Sequence, residues 1–361
     1  CNHKAFGKHT PSRRDPFVTV QNLSHRIRRN EDFLTGVMEW LICFSVLFPL
    51  SRHAAEVYRN LGSGSMRRYV VFFLSFAFLL IAAGAVHAKK AGEPDVKSYF
   101  VVNATTGTII KAKNIDQPIP PASLTKVLSL YIIMDSLQRR EIRLHDRVKI
   151  SRKAWQTGGS QMFLEPGTEV ALEELMKGVA IVSANDAAVA LAEHVCGDVP
   201  RFVDRMNRQA RELGMRNSVF VNPHGLPAKG EITTARDMAI LAADYIRRFP
   251  WALTLLHSRQ SYSYHNITQP NRNRLLGKYP EVDGLKTGFT WVSGYHTIVT
   301  ARKGQQRYII VVMGAKTPVK RNREAAELLK EALGMARGTS VKPSPPLVKV
   351  PHRTGVTPGK S

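Results

Sequence analysis

From Tyr99 onward the hydrophobic pattern changes period several times, and each change marks an element. Tyr99-Phe100-Val101-Val102 and residues 109–112 are β-rich runs separated by Asn103-Ala104-Thr105-Thr106-Gly107, which reads as a hairpin with a Gly-closed turn. Pro118, Pro120 and Pro121 stiffen the approach to a helix predicted over residues 123–137, with Leu124, Val127, Leu128, Tyr131 and Ile132 on one face. Helical spacing recurs over 171–181, 186–195, 200–213 and 235–248, the last with Thr234 as its cap. Residues 295–302 and 307–313 form a second β-rich pair joined through Lys303-Gly304, and an amphipathic helix is expected over 319–333. Hairpins at opposite ends can pair into one sheet whose faces the intervening helices cover, an α+β arrangement.

The first hundred residues follow another logic. Met66-Arg67-Arg68 precedes a stretch over 69–85 that is apolar apart from Ser75, and Val86-His87-Ala88 offers a small-residue exit. Charged start, apolar run and small-residue exit describe a secretory signal peptide over 66–88, with cleavage expected after Ala88. The apolar run is nearly long enough to span a bilayer, so an uncleaved anchor is the alternative. Residues 1–65 begin with Cys1 and hold a second apolar stretch over 33–50, interrupted by Glu39 and closed by Pro49. They are read as an upstream extension, with Met66 as the start. After Gly338 the composition turns to Pro, Lys, Ser and Thr, and 338–361 is expected to be an extended basic tail without a membrane-lying helix. The folded domain is placed at 97–336.

The 43% hydrophobic fraction suits an ordinary core, but the formal charge of +24 does not suit an ordinary surface. It fits an anionic partner such as a phospholipid surface or a carboxylate-rich polymer, or a surface simply solvated by Lys and Arg. No zinc-finger spacing or aromatic-studded RNA-binding strand is present, so a nucleic-acid partner is not expected. Of Cys1, Cys43 and Cys196, the last alone falls in the folded part, where its apolar helical neighbours make it a core residue. No metal signature or cofactor motif is present.

Three short motifs carry chemistry. In Ser123-Leu124-Thr125-Lys126 the two functional residues lie three apart at a helix start, so the amine can reach the hydroxyl, and the helix N-terminus favours an oxyanion close by. Burial and a neighbouring cation would leave Lys126 neutral and able to act as a base. Ser183-Ala184-Asn185 sits at a break between helices, where a hydroxyl can relay a proton and an amide can hold a substrate backbone or the Lys amine. In Lys286-Thr287-Gly288 the glycine lets a substrate approach closely, while ammonium and hydroxyl can grip a carboxylate. Each alone reads as a turn or a solvated lysine; each occurs once, in this order, downstream of an export signal.

The set resembles the active-site serine penicillin-recognising superfamily, which shares S-x-x-K, S-x-N and K-T-G. The local text is similar to the low-molecular-weight penicillin-binding proteins of the D-alanyl-D-alanine carboxypeptidase family, through 120–126, Gly159-Ser160-Gln161-Met162-Phe163, 183–187, Asn222-Pro223-His224-Gly225-Leu226, Asn271-Arg272-Asn273 and 282–288. The resemblance implies a β-lactamase/transpeptidase-like fold, an antiparallel sheet of about five strands between helical layers, with the site where an all-helical lobe meets the sheet. It implies Ser123 as the acylated nucleophile, Lys126 as its base and Ser183 as proton shuttle. Asn185 would position Lys126 or substrate; Lys286, Thr287, Gly288 and Arg272 would bind the terminal carboxylate. Backbone N–H groups of Ser123 and Phe289 would form the oxyanion hole. Phe289 stands where many relatives have a polar residue, and the second β-rich domain and C-terminal anchor of many relatives are not expected here. The implied partners are peptidoglycan stem peptides ending in D-Ala-D-Ala and β-lactams as covalent inhibitors, in the periplasm or cell envelope. A DD-endopeptidase of the same fold, a β-lactamase and a non-catalytic peptidoglycan-binding protein are the alternatives. The missing E-x-x-L-N-type loop argues against the second, and the intact motifs against the third. His224 and His296 are read as structural.

Overall fold

The two distant hairpins meet. In the computed structural model, which describes residues 95–334, β1 (Ser98–Asn103) and β2 (Thr108–Lys113) form the first. Helix α1 (Thr125–Gln138) follows a 3-10 turn, Ala122–Leu124; then come β3 (Arg147–Lys149), α2 (Arg152–Gln156), β4 (Glu169–Ala171) and α3 (Leu172–Lys177). A π-helical turn, Gly178–Val182, leads to α4 (Asn185–Cys196), α5 (Val199–Glu212) and α6 (Ala235–Arg248). The small hairpin β5 (Ser261–Tyr264) and β6 (Ile267–Pro270) precedes β7 (Val282–Thr290), β8 (Gly294–Lys303), β9 (Gln306–Ala315) and α7 (Pro318–Ala332). Strand β1 pairs antiparallel with β9, closing a five-stranded sheet of order β2-β1-β9-β8-β7 with β7 at its edge. This is the expected α+β class, and the signal peptide, the upstream extension and the basic tail lie outside the described residues.

Strand alternation explains the layering. Phe100, Val102, Ile309, Val311 and Met313 enter a core shared with the helical lobe, while Val101, Ile310 and Val312 enter one beneath α7. Both faces are therefore covered, as a period of two demands when two helical layers flank a sheet. Helix α1 departs from the one-sided pattern read in it: Leu130, Ile133 and Met134 are as buried as Leu124 and Val127. It runs through the middle of the lobe, packed by α4, α5 and α6, so an apolar stripe on one side understated it. Each such side chain contributes roughly 1.5–3 kcal/mol by burial, which holds the segment carrying Ser123 and Lys126 rigid. Asp135, buried on α1, accepts from Arg205 of α5 at 3.2 Å and from Arg248 of α6, tying three helices together.

Helix ends fall where short polar side chains stop them. Thr234 accepts from the N–H of Asp237 at 3.1 Å, as its capping position requires, and Thr317 does the same for Lys320. The strand pair β3–β4 and the hairpin β5–β6 are not apparent in the pattern, because strands of three or four half-exposed residues show too little alternation. Among the described residues no helix is long and apolar enough to cross a membrane. Cys196 is a free, partly buried thiol whose pKa burial raises, in keeping with a packing role.

Candidate active site

Ser123 is half-buried at the mouth of α1, in the 3-10 turn, and Ala122 before it is held at φ 49°, in the left-handed region. Such a conformation costs a non-glycine residue about 1–3 kcal/mol and persists only where packing imposes it. Here the packing is visible: a Cβ built on Gly225 would lie 1.9 Å from the Ala122 carbonyl oxygen. Gly225 has φ 81°, and Asn222 shapes its loop by accepting from the N–H groups of His224 at 3.1 Å and Gly225 at 2.6 Å. Ser129 of α1 donates to the Pro223 carbonyl at 2.6 Å, fastening loop to helix.

That loop presents a carbonyl to the lysine. Lys126 is fully buried, with Nζ 2.6 Å from the His224 carbonyl oxygen, 2.6 Å from Asn185 Oδ1 and 3.1 Å from Ser123 Oγ. Burial, with the charge of Lys286 adding to it, holds its pKa well below the ordinary lysine value, against the pull of Glu231 and Asp186. A neutral amine has two N–H groups and one lone pair. Two strict acceptors take the two N–H groups, so the lone pair is left to receive the Ser123 hydroxyl proton. The histidine ring faces elsewhere: His224 Nδ1 accepts from the Leu226 N–H at 3.1 Å, and burial pushes the ring down to about 3. It is structural, as read. So is His296, buried between Ser293 and the Gly314 N–H.

The second motif closes the other wall. The π-helical turn ends on Ser183 at φ 68°, and its Oγ is buried without a hydrogen-bond partner among the described residues. A hydroxyl aimed by a left-handed residue and left unpaired is free to serve a reacting group. Asn185, two residues on, accepts from Lys126 and donates to the Gly158 carbonyl at 2.6 Å. Asp186 accepts from the N–H groups of Met162 and Leu164, both at 3.2 Å, which anchors the 158–164 loop over the helix.

The third wall is edge strand β7. A Cβ on Gly288 would come 3.1 Å from the Ser123 nitrogen and 3.2 Å from the Ala122 Cβ, so the glycine lets this strand press on the turn that carries Ser123. Lys286 is buried, donates to the Thr287 carbonyl at 2.8 Å, and is pushed down to about 7 by burial, with the Arg272 and Arg321 guanidinium groups adding to it. Arg272 is exposed on a segment pinned by Asn271, which donates to the carbonyls of His257 and Arg259, and by Asn273, which donates to that of Gly284. Phe289, half-exposed, stacks on Tyr295 with centroids 4.1 Å apart.

The structure thus brings the three motifs together, with Asn185 on Lys126, Gly288 on the Ser123 turn and the Lys286 charge felt at Lys126. It adds what the sequence did not signal: the His224 carbonyl, a backbone group without a residue signature, and Glu231, whose carboxylate accepts from the Thr125 hydroxyl at 3.2 Å. Among the described residues no group of His, Cys, Asp and Glu is placed to hold a metal.

Residues 85–317 match the family described as D-alanyl-D-alanine carboxypeptidase. The D-alanyl-D-alanine carboxypeptidase DacF of Bacillus subtilis is 38% identical over 73% of this chain and 70% of its own length. Penicillin binding protein 5 of Haemophilus influenzae superposes with a TM-score of 0.64 at 39% identity, covering 67% of this chain and 71% of that one. Penicillin-Binding Protein D2 of Listeria monocytogenes, solved in its ampicillin-bound form, superposes with a TM-score of 0.62 at 26% identity, over 68% of this chain and all of that one.

Proposed function

The chain belongs to the D-alanyl-D-alanine carboxypeptidase family and is a serine-type DD-carboxypeptidase, and from that premise we propose how its own residues divide the work. Lys126 takes the Ser123 proton as Oγ attacks the carbonyl carbon between the two D-Ala residues of a stem peptide. The backbone N–H groups of Ser123 and Phe289 receive the oxyanion, and the close seating of Gly288 on the Ser123 turn supports that pairing. As the amide bond breaks, the Ser183 hydroxyl passes the proton held on Lys126 to the departing nitrogen, so free D-Ala leaves. Water then attacks the ester, with Lys126 again accepting the proton. The terminal carboxylate is gripped by Lys286, Thr287 and Arg272, and its arrival favours the protonated form of Lys286. A β-lactam acylates the same serine, and its leaving group stays tethered in the adduct.

The observation that carries this reading is the Lys126 amine, fully buried and 3.1 Å from Ser123 Oγ with two carbonyl-type acceptors filling its N–H groups. The reading puts the work outside the cytoplasm, which agrees with the export signal expected over 66–88 and with a strongly basic chain facing an anionic wall. The purified protein incubated with penicillin should carry a stable adduct at Ser123 by peptide mass spectrometry, and should release D-Ala from an acetylated Lys-D-Ala-D-Ala peptide. Lys126→Ala should fold yet not acylate. An adduct surviving Ser123→Ala would refute the assignment, and rapid turnover of the penicillin would make the chain a β-lactamase.

A further inference from the structure

The end of α1 away from Ser123 opens on a cavity of about 570 Å³ that plays no part in the chemistry above. Leu137 and Gln138, the last residues of the helix, border it. At about 1.5 Å per residue, the 14 residues of α1 set it roughly 20 Å from Ser123. Its floor is apolar, built from Leu137, Ile142, Leu144, Phe249 and Trp251. Trp251 is 43% exposed, so the indole is only partly packed. The rim is basic: Arg140, Arg143 and His145 are exposed, and no acid is among the described residues that line the cavity. The two acids of the adjoining segment are engaged elsewhere. Glu141 accepts from Ser136 at 2.8 Å and from Arg205 at 3.0 Å, while Asp146 accepts from the Arg143 N–H at 2.8 Å and lies 3.7 Å from His194. The guanidinium groups of Arg140 and Arg143 are therefore left without an ion-pair partner among the described residues.

Unpaired arginines above an apolar floor call for a partner that is anionic at one end and hydrocarbon at the other. A carboxylate-rich polymer would satisfy the rim and offer nothing to leucine, phenylalanine and tryptophan. A free anion would leave the floor as exposed as before. Phospholipid satisfies both, because basic side chains gain from an anionic leaflet and Trp favours the boundary between headgroups and acyl chains. We propose that this face, the C-terminal end of α1 with the segment after it and Trp251, docks the domain on an anionic phospholipid surface. Lipid phosphates pair with Arg140 and Arg143, while Trp251 and the cavity floor take hydrocarbon. Since Ser123 lies at the other end of α1, the docked enzyme keeps that side open to the wall. Docking of this kind stands whether or not Ser123 is the acylated residue.

Flotation of the purified full chain with vesicles tests the docking, using phosphatidylglycerol mixed into phosphatidylcholine against phosphatidylcholine alone. The apolar run over 69–85 and the basic tail are common to every variant, so differences between variants report the patch. Arg140→Gln with Arg143→Gln should weaken binding to the anionic vesicles roughly twenty-five-fold, about fivefold for each cation removed. Trp251→Ser should weaken it about tenfold through the apolar area no longer buried. The same loss of charge at Arg302 and Lys316, exposed and outside the cavity, should cost far less. All of these proteins should keep the wild-type Tm and the wild-type rate of acylation by penicillin; a patch variant that loses its Tm is set aside and the other decides. Equal binding of the wild type to neutral and anionic vesicles overturns the docking, as does wild-type affinity in the folded patch variants or an equal loss in the control pair. Release by inorganic phosphate, where chloride of equal ionic strength leaves the protein bound, makes the patch a site for a soluble anion and overturns it as well.

Discussion

Gly225 and Gly230 offer a controlled experiment, because they share a backbone conformation and differ in what surrounds them. Their φ angles are 81° and 87°, yet a Cβ on Gly230 meets nothing within 4 Å, whereas on Gly225 it lies 1.9 Å from the Ala122 carbonyl oxygen and 2.9 Å from Thr125 Oγ1. Gly230→Ala therefore bears the left-handed penalty of about 1–2 kcal/mol, partly offset by a less flexible unfolded chain, leaving a net cost of about 1 kcal/mol. Gly225→Ala bears the same penalty plus overpacking, typically about 1–3 kcal/mol, against a backbone atom that cannot swing aside. A total of about 3 kcal/mol corresponds to a fall in Tm of roughly 6–12 °C for a domain of this size, against about 2–4 °C for Gly230→Ala. Function separates them further. The Ala122 carbonyl cannot yield without moving Ser123, and the loop cannot lift without withdrawing the His224 carbonyl from Lys126. Displacement near 1 Å costs about a hundredfold in rate. Calorimetry with the rate of acylation by a fluorescent penicillin measures both effects. If Gly225→Ala acylates like Gly230→Ala, the loop is not what positions the nucleophile.

Two other predictions concern protons. Acylation needs Lys126 neutral, so its rate falls as pH drops through the depressed Lys126 pKa; Asn185→Asp puts a negative charge on the 2.6 Å contact, favours the ammonium, and should move that limb to higher pH in stopped-flow acylation. An unmoved limb would remove Lys126 from the base role. His257 is fully buried, with Nδ1–H donating to the Leu285 carbonyl and Nε2 accepting from the Tyr245 hydroxyl, both at 3.0 Å; burial, aided by the Lys286 charge, lowers its pKa from 6.5 to about 3. The folded state refuses a proton that the unfolded state takes, so its contribution to stability is complete above pH 6.5 and is lost progressively as pH falls toward 3. His257→Gln should flatten the dependence of unfolding free energy between pH 6 and 4 by about one proton, about 1.4 kcal/mol per pH unit, and an unchanged slope in denaturant titrations would show that His257 does not titrate on unfolding.

How much of this was legible in the sequence depends on where each role resides. Placements set by a fixed helical or strand offset could be read directly. Ser123 and Lys126 share a face because three residues make nearly a turn, and the unbroken apolar runs of β1 and β9 are those of a sheet buried on both sides. Element ends were legible where a cap is a side-chain event, as at Thr234. The rest was hidden for physical reasons. The acceptor that completes Lys126 is a main-chain carbonyl, and its position depends on Asn222 and Gly225 acting on a turn almost a hundred residues away in the chain. The left-handed states of Ala122 and Ser183 are imposed by neighbours and run against their own preference, so no propensity signals them. Glu231 gave least warning, standing in a polar run where a solvated acid is the ordinary reading. Its burial and its hydrogen bond from Thr125 are properties of the packed structure. The pairing of Ser123 with Lys126 was thus written locally, while the groups around it were written in contacts between segments, where one sequence offers no period to read.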